Sequence, residues 1–186
     1  MAERKVYTRT GDDGTTGLLY GGRVAKDGPG PRAYGATDEV VSSLGVARAE
    51  AERDGELDRL LVRLQRELFV VGAELATEPE HRDRLTDGVT RVTATMVDDL
   101  EPVIDDVSSR FDPPQEFVLP GETRLAAALD VARTVVRRAE RDAVSAVHEG
   151  WLEEESFVVP YLNRLADLVY TLARWQEGRF RPVRGD

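Results

Sequence analysis

The chain has 186 residues, 41% of them hydrophobic and 32% charged, with a formal net charge of −10, no cysteine and two histidines. That length suffices to bury the core of a single domain, and the high charged fraction suits helices that each keep one polar face. The lack of cysteine excludes disulfides, thiolate nucleophiles and sulfur-built metal sites, while the acidic balance argues against nucleic-acid binding, which needs a basic footprint.

Residues 1–31 are rich in glycine, proline and aspartate and poor in periodic hydrophobics, which predicts an ordered or orderable ligand-binding loop. Within it, YTRTGDDGTTGLLYGGRVAKDG runs from Tyr7 to Gly28 and carries Arg23 and Lys26 as isolated cations. Its composition suggests phosphate binding, yet neither the P-loop pattern nor the dinucleotide G-x-G-x-x-G pattern is present. Five amphipathic helices follow by periodicity. The first covers about 32–54 and ends at Gly55. The second covers about 56–76, with Leu57, Leu60, Leu61, Leu64, Leu68 and Val71 at helical spacing, and is closed by Glu78-Pro79. The third runs from about 89 to 107, with Pro102 inside it as a kink or a shortening. Prolines forbid helix in FDPPQEFVLPGETR, where Phe117-Val118-Leu119 is predicted to be a short extended piece before a Pro-Gly turn. The fourth helix starts near Thr123 as N-cap and runs to about 149–150. The fifth covers about 155–177, with Pro160 near its start and Gly178 as its stop.

This pattern predicts an all-α fold, a five-helix bundle resembling a four-helix bundle, preceded by the loop segment. One domain spans 1–186, divided into the segment 1–31, the bundle 32–178 and a tail 179–186. No apolar run reaches the roughly 18 residues that a membrane span needs. The amino-terminal residues lack an apolar h-region, so neither a secretory signal nor a membrane association is expected, and a cytoplasmic location is.

On the fourth helix, Leu125, Ala128, Leu129, Ala132, Val135, Val136, Ala139, Ala143 and Val147 form one apolar face. Arg133, Arg137, Glu140 and Arg141 gather along its edge, and Arg138 lies away from them. Such an edge is either a solvated flank or an anion site. Like charges one turn apart repel unless an anion lies between them, and arginine is shaped for bidentate phosphate contacts. On the fifth helix, Asn163, Asp167, Tyr170 and Arg174 share a face that solvent exposure explains, although Asn163 could read a base or a phosphate. Asp38 and Ser42 form an i,i+4 pair on the first helix. His81 and His148 have no ligand-like spacing and are expected at the surface, so Ser-His-Asp and Cys-His catalysis is not expected.

Taken together, these segments resemble the PduO-type ATP:corrinoid adenosyltransferases over essentially the whole chain. YTRTGDDGTTGL resembles the family's opening motif, and RVAKD supplies its basic position at Lys26. AYGATDEVVSSLG, FVLPGETRLAAALDVARTVVRRAER and YLNRLADLVYTLAR resemble three further motifs in the right order. The sequence departs from the pattern at Glu122, where the family usually has glycine, and at Val41, where it often has asparagine.

The resemblance implies an enzyme that transfers the 5′-deoxyadenosyl group of ATP to cob(I)alamin and releases triphosphate. It also implies a homotrimer with active sites at subunit interfaces, and Mg²⁺ accompanying the nucleotide. Carried over by position, nucleotide contacts fall on Thr8, Arg9, Thr10, Gly11, Thr16, Lys26, Arg137, Arg138, Ala139, Glu140, Arg141 and Asn163. Asp38 is expected to pair with Arg133 across the interface. Phe117, which without the resemblance would read as ordinary core, is expected beneath the corrin, where it displaces the lower axial base. No metal ligand is assigned to a protein side chain. The further expected partners are a reductase acting on cob(II)alamin and an adenosylcobalamin-dependent mutase or dehydratase. Two alternatives stand beside the enzyme: an adenosylcobalamin carrier, and a nucleotide-sensing regulator without corrin chemistry. Lys26, Arg137 and Arg141 favour the enzyme, because a pure carrier needs no triphosphate contacts.

Overall fold

A computed structural model describes residues 6–184. It is mostly helical, with two small antiparallel sheets. The elements in order are β1 (Thr15–Gly17), β2 (Arg23–Ala25), α1 (Pro29–Glu50) and α2 (Glu56–Leu75), then a 3₁₀ turn (Pro79–Arg84), α3 (Ala94–Asp98) and α4 (Glu101–Ser108). After these come β3 (Val118–Leu119), α5 (Arg124–His148), α6 (Val158–Glu177) and β4 (Arg181–Pro182). No helix among the described residues is long and apolar enough to cross a membrane.

Four long helices form the bundle. α1 packs on α2 and α5, α5 packs on α6, and α4 packs on α6. On α2 the buried apolar residues are Leu57, Leu61, Leu64, Leu68, Val71 and Leu75, spaced three or four apart as one helical face requires. Each fully buried Leu contributes about 1.5–3 kcal/mol relative to exposure. α5 begins where the sequence predicted: the Thr123 hydroxyl accepts from Ala126 N at 3.0 Å, and such a cap is worth about 1 kcal/mol. Tyr161 of α6 is fully buried, and its hydroxyl donates to Glu67 at 2.7 Å. Burial pushes that phenol well above its ordinary range. At the other end Gly30 passes so close to Trp151 that a β-carbon would lie 2.3 Å from the ring, so this position admits only glycine.

Three expectations need correction. The single third helix over 89–107 is two short helices, α3 and α4. Thr93 caps α3 by accepting from Met96 N, and Pro102 lies in the first turn of α4, where its missing N–H costs no hydrogen bond. The loop segment contains a hairpin in which β1 pairs with β2 from Thr15↔Ala25 to Gly17↔Arg23. Arg174 is not on a solvated face. It is 3% exposed and bound to Asp130, 44 residues earlier in the chain.

Candidate active site

The opening segment closes into a polar cleft of about 360 Å³, lined among the described residues by those between Tyr7 and Lys26. Lys26 Nζ donates to Gly11 O at 2.7 Å. A β-carbon on Gly11 would come within 2.9 Å of Thr15 O and 3.1 Å of that ammonium, so glycine is what lets the lysine reach in. Thr8 and Thr10 share a hydroxyl hydrogen bond of 2.9 Å, and the Arg9 guanidinium lies 5.4 Å from the Tyr7 ring centroid. Thr8, Arg9, Thr10, Gly11, Thr16 and Lys26 all line this one cleft.

Arg23 is the residue that the sequence-based assignment missed. It lines the same cleft and donates to Thr10 O and, through Nε at 3.1 Å and Nη2 at 2.6 Å, to the Thr15 hydroxyl. Asp13 caps the same turn, accepting from Thr15 N at 2.9 Å and from Thr15 Oγ1 at 2.7 Å. Those hydrogen bonds hold its carboxyl below the ordinary range. Position alone gave the signal, since Arg23 is one of three cations in the stretch, with Arg9 and Lys26.

The hairpin rests on the α2 end of the bundle. Leu19 N donates to Ala76 O at 3.1 Å, and Arg84 donates to Tyr20 O at 3.0 Å while stacking on its ring. The second cationic group lies on α5. Arg137 and Arg141 are exposed one turn apart, joined by Arg141 Nη1 donating to Arg137 O at 2.9 Å. Neither has a carboxylate partner among the described ion pairs. Glu140, on the same edge, accepts from Asn163 Nδ2 of α6 at 2.9 Å, which fixes that amide beside the arginines.

Two members of this run behave differently. Ala139 is 0% exposed and belongs to the core, so it spaces the edge without offering a ligand contact. Arg138 turns away to pair with Glu39 of α1. Within one chain Arg133 is paired with Asp130 at 3.1 Å, whereas Asp38 stands exposed on α1 beside a largely apolar groove of about 400 Å³. Leu19, Tyr34, Val41 and Phe69 line that groove, and Phe69 is 68% exposed.

Phe117 settles the alternative left open for it: at 89% exposure it is not core. It sits at the lip of a second cleft of about 360 Å³ with Glu116, Val183 and Arg184. Its carbonyl accepts from Val183 N at 2.8 Å, next to the short β3–β4 ladder.

The cobalamin adenosyltransferase family pattern matches residues 6–176. The chain belongs to the cobalamin adenosyltransferase family. Among relatives in the family, it is 40% identical to a corrinoid adenosyltransferase of Citrobacter freundii over 173 residues, covering 93% of this chain and 95% of that one. It is 42% identical to a corrinoid adenosyltransferase of Mycobacterium leprae over 173 residues, covering 91% of this chain and 90% of that one. The fold matches, with a TM-score of 0.84, a phenylalanine-to-alanine variant of a PduO-type ATP:corrinoid adenosyltransferase from Lactobacillus reuteri complexed with cobalamin and ATP. That match is 31% identical and covers 97% of this chain and 100% of the other.

Proposed function

We propose that the protein transfers the 5′-deoxyadenosyl group of ATP to cob(I)alamin, forming adenosylcobalamin and releasing triphosphate. Beyond family membership, the observation that carries this assignment is Phe117, a large apolar side chain held out at a cleft by strand pairing. The chemistry suits the residues present. Cob(I)alamin is itself the nucleophile: its cobalt electron pair forms the bond to C5′, and the C5′–O bond breaks with its pair going to triphosphate. The protein therefore needs no nucleophile and no acid–base pair. Its work is orientation and charge.

The loop cleft and the α5 edge are two halves of one nucleotide site. Lys26 has three donors and uses one on Gly11, so the others can meet phosphate oxygens. Arg137 and Arg141 offer planar forks to the leaving triphosphate, and Asn163 is held where it can contact the nucleotide. Among the described residues the cleft is lined from one short stretch, and the arginines lie on α5. This separation supports a site shared between subunits of a homotrimer. The groove around Asp38, with Phe69 exposed in it, supports the same arrangement: a neighbouring subunit's Arg133 would pair with Asp38 as that apolar lining is covered.

Mg²⁺ would reach the site on the phosphates. Such an ion keeps several of its waters and takes few protein ligands. When bound, it neutralises phosphate charge. Phe117 acts on the other substrate. By occupying the lower face of the corrin it excludes the axial base and water, which raises the Co(II)/Co(I) potential, since axial ligation and burial set the potential of such a cofactor. The electron then comes from a reductase, the setting is the cytoplasm, and an adenosylcobalamin-dependent mutase or dehydratase takes the product.

An anaerobic assay with purified protein, Mg·ATP, cobalamin and a reductant tests the proposal. The light-sensitive Co–C bond and free triphosphate should appear together. ATP binding without that bond would leave only a carrier or a sensor. Phe117→Ala should still bind ATP yet lose most activity when cob(II)alamin is supplied; unchanged turnover would remove the role given to Phe117.

A further inference from the structure

Glu122 lies between the Pro-Gly turn and the α5 cap, at the position where this sequence departs from the glycine of the pattern it resembles. Its carboxylate is well sheltered, 13% exposed, yet it meets two exposed guanidinium groups: Oε2 is 3.4 Å from Arg179 Nε and Oε1 is 3.2 Å from Arg181 Nε. Phe180, between those arginines, packs edge-on to Phe111, with ring centroids 6.4 Å apart and planes at 64°. The tail thus meets a carboxylate through its two arginines and an aromatic ring through Phe180.

What the tail does there is pair with β3. Val118 faces Pro182 and Leu119 faces Arg181. Proline donates no hydrogen bond, so a ladder this short has little strength of its own and depends on the contacts beside it. The next residue, Val183, donates to Phe117 O, and Val183 and Arg184 line the cleft at the phenylalanine. An almost fully exposed Phe117 has no core packing to fix its orientation. The backbone on either side must do that. The loop end is anchored as well, since the Thr123 hydroxyl donates to Gln176 O of α6 at 3.2 Å.

We propose that Glu122 is a positioning residue for Phe117: its grip on Arg179 and Arg181 holds β4 against β3 and so sets how the phenylalanine is presented to the corrin. This rests on the corrin-facing role given to Phe117 above. Glu122 touches no substrate and acts only through the strand pair.

The test compares Glu122→Gln, the pair Arg179→Glu with Arg181→Glu, and a charge swap that adds Glu122→Arg to that pair. Three measurements are made on each. The first is amide exchange at Val118, Leu119 and Val183 without ligand. The second is the fraction of cob(II)alamin lacking its lower axial ligand, read by electron paramagnetic resonance with Mg·ATP present. The third is kcat and KM for ATP. Glu122→Gln should raise exchange at those amides ~fivefold, with α5 and α6 unaffected, as the loss of ion pairs with exposed arginines allows. The fraction without axial ligand and kcat should fall together by a similar factor, KM for ATP should stay unchanged, and the charge swap should restore exchange, that fraction and kcat. Unchanged exchange would overturn the clamp. Raised exchange with an unaltered resonance signal and kcat would reduce it to a tail-stabilising contact. If the wild type itself shows no cob(II)alamin lacking its axial ligand, the role of Phe117 fails and this proposal with it, an outcome that the exchange data separate from a failed clamp.

Discussion

Two regions of this molecule use the same chemistry in opposite surroundings. In the hairpin, Arg23, Asp13 and Thr15 form an exposed knot, with the arginine 3.8 Å from the carboxylate and 45% and 65% of the two side chains open to solvent. In the seam between α5 and α6, Arg174 joins Asp130 and, at 3.2 Å, Glu177, and all three side chains are at most 7% exposed. Exposed pairs are screened and worth roughly 0–1 kcal/mol. A buried pair contributes little net stability when intact, but losing one partner strands the other charge, at about 3–5 kcal/mol. The hairpin is therefore a structure that a ligand can reorganise cheaply. The seam is a lock that fixes where α5 holds its arginine edge relative to α6 and Asn163.

The comparison breaks first at the seam if it is wrong. Asp130→Ala should lower unfolding stability by about 3 kcal/mol in urea titrations, because Arg133 loses its carboxylate and buried Arg174 is left with Glu177 alone. Arg23→Ala should change the same measurement by less than about 1 kcal/mol. Equal losses would mean that the hairpin is part of the scaffold. Function should show the reverse order. Lys26→Ala should leave stability nearly unchanged and reduce kcat/KM for ATP ~10–100-fold, the worth of one charge-assisted hydrogen bond. Arg137→Ala should fall at the lower end of that range; a wild-type value would return that helix edge to solvent.

A smaller effect concerns mobility. Limited proteolysis should cut residues 7–26 in the free protein and be slowed by Mg·ATP, because the segment is held by exposed polar contacts with almost no buried apolar surface. Equal cleavage with and without nucleotide would count against the loop cleft as half of the site.

These contrasts also mark what the sequence could reveal. α2 and α5 were legible nearly to the residue, because Gly55, Pro79 and Thr123 punctuate a strong apolar period. The split into α3 and α4 was not, since the apolar spacing runs on across Asp99 and Leu100 although Thr93 and Pro102 both signal starts. The hairpin escaped because three-residue strands cannot show alternation. The seam escaped for a different reason: periodicity put Arg174 on an outer face, and its pairing with Asp130, distant in sequence, left no local signal. In the site, the loop half and the arginine edge were each visible as clusters of residues, whereas their belonging together came from resemblance, because no spacing rule connects Lys26 to Arg137. Phe117 is the mirror case, since an apolar triplet reads as core until its exposure is known.

The smallest predicted effects are the sharpest, because the two regions should respond to pH with opposite sign. Hydrogen bonds from Thr15 hold the Asp13 carboxyl below its ordinary value. A depressed acid lends stability that is present above its unfolded pKa and lost as pH falls through the folded one. The hairpin turn should therefore stay intact at neutral pH and loosen only in acid, below about pH 4, as seen in the pH dependence of Thr15 amide protection. Asp13→Asn should abolish that dependence. Glu177 is shifted the other way, raised chiefly by burial and lowered again in part by Arg174. A raised acid is most favourable to folding when protonated, and its contribution declines as pH climbs from the ordinary glutamate range through the raised value. The difference in unfolding stability between the wild type and Glu177→Gln should thus shift against the wild type as pH rises, while that between the wild type and Asp13→Asn shifts in its favour. If both differences moved the same way, the division between a ligand-adaptable hairpin and a buried lock would not survive.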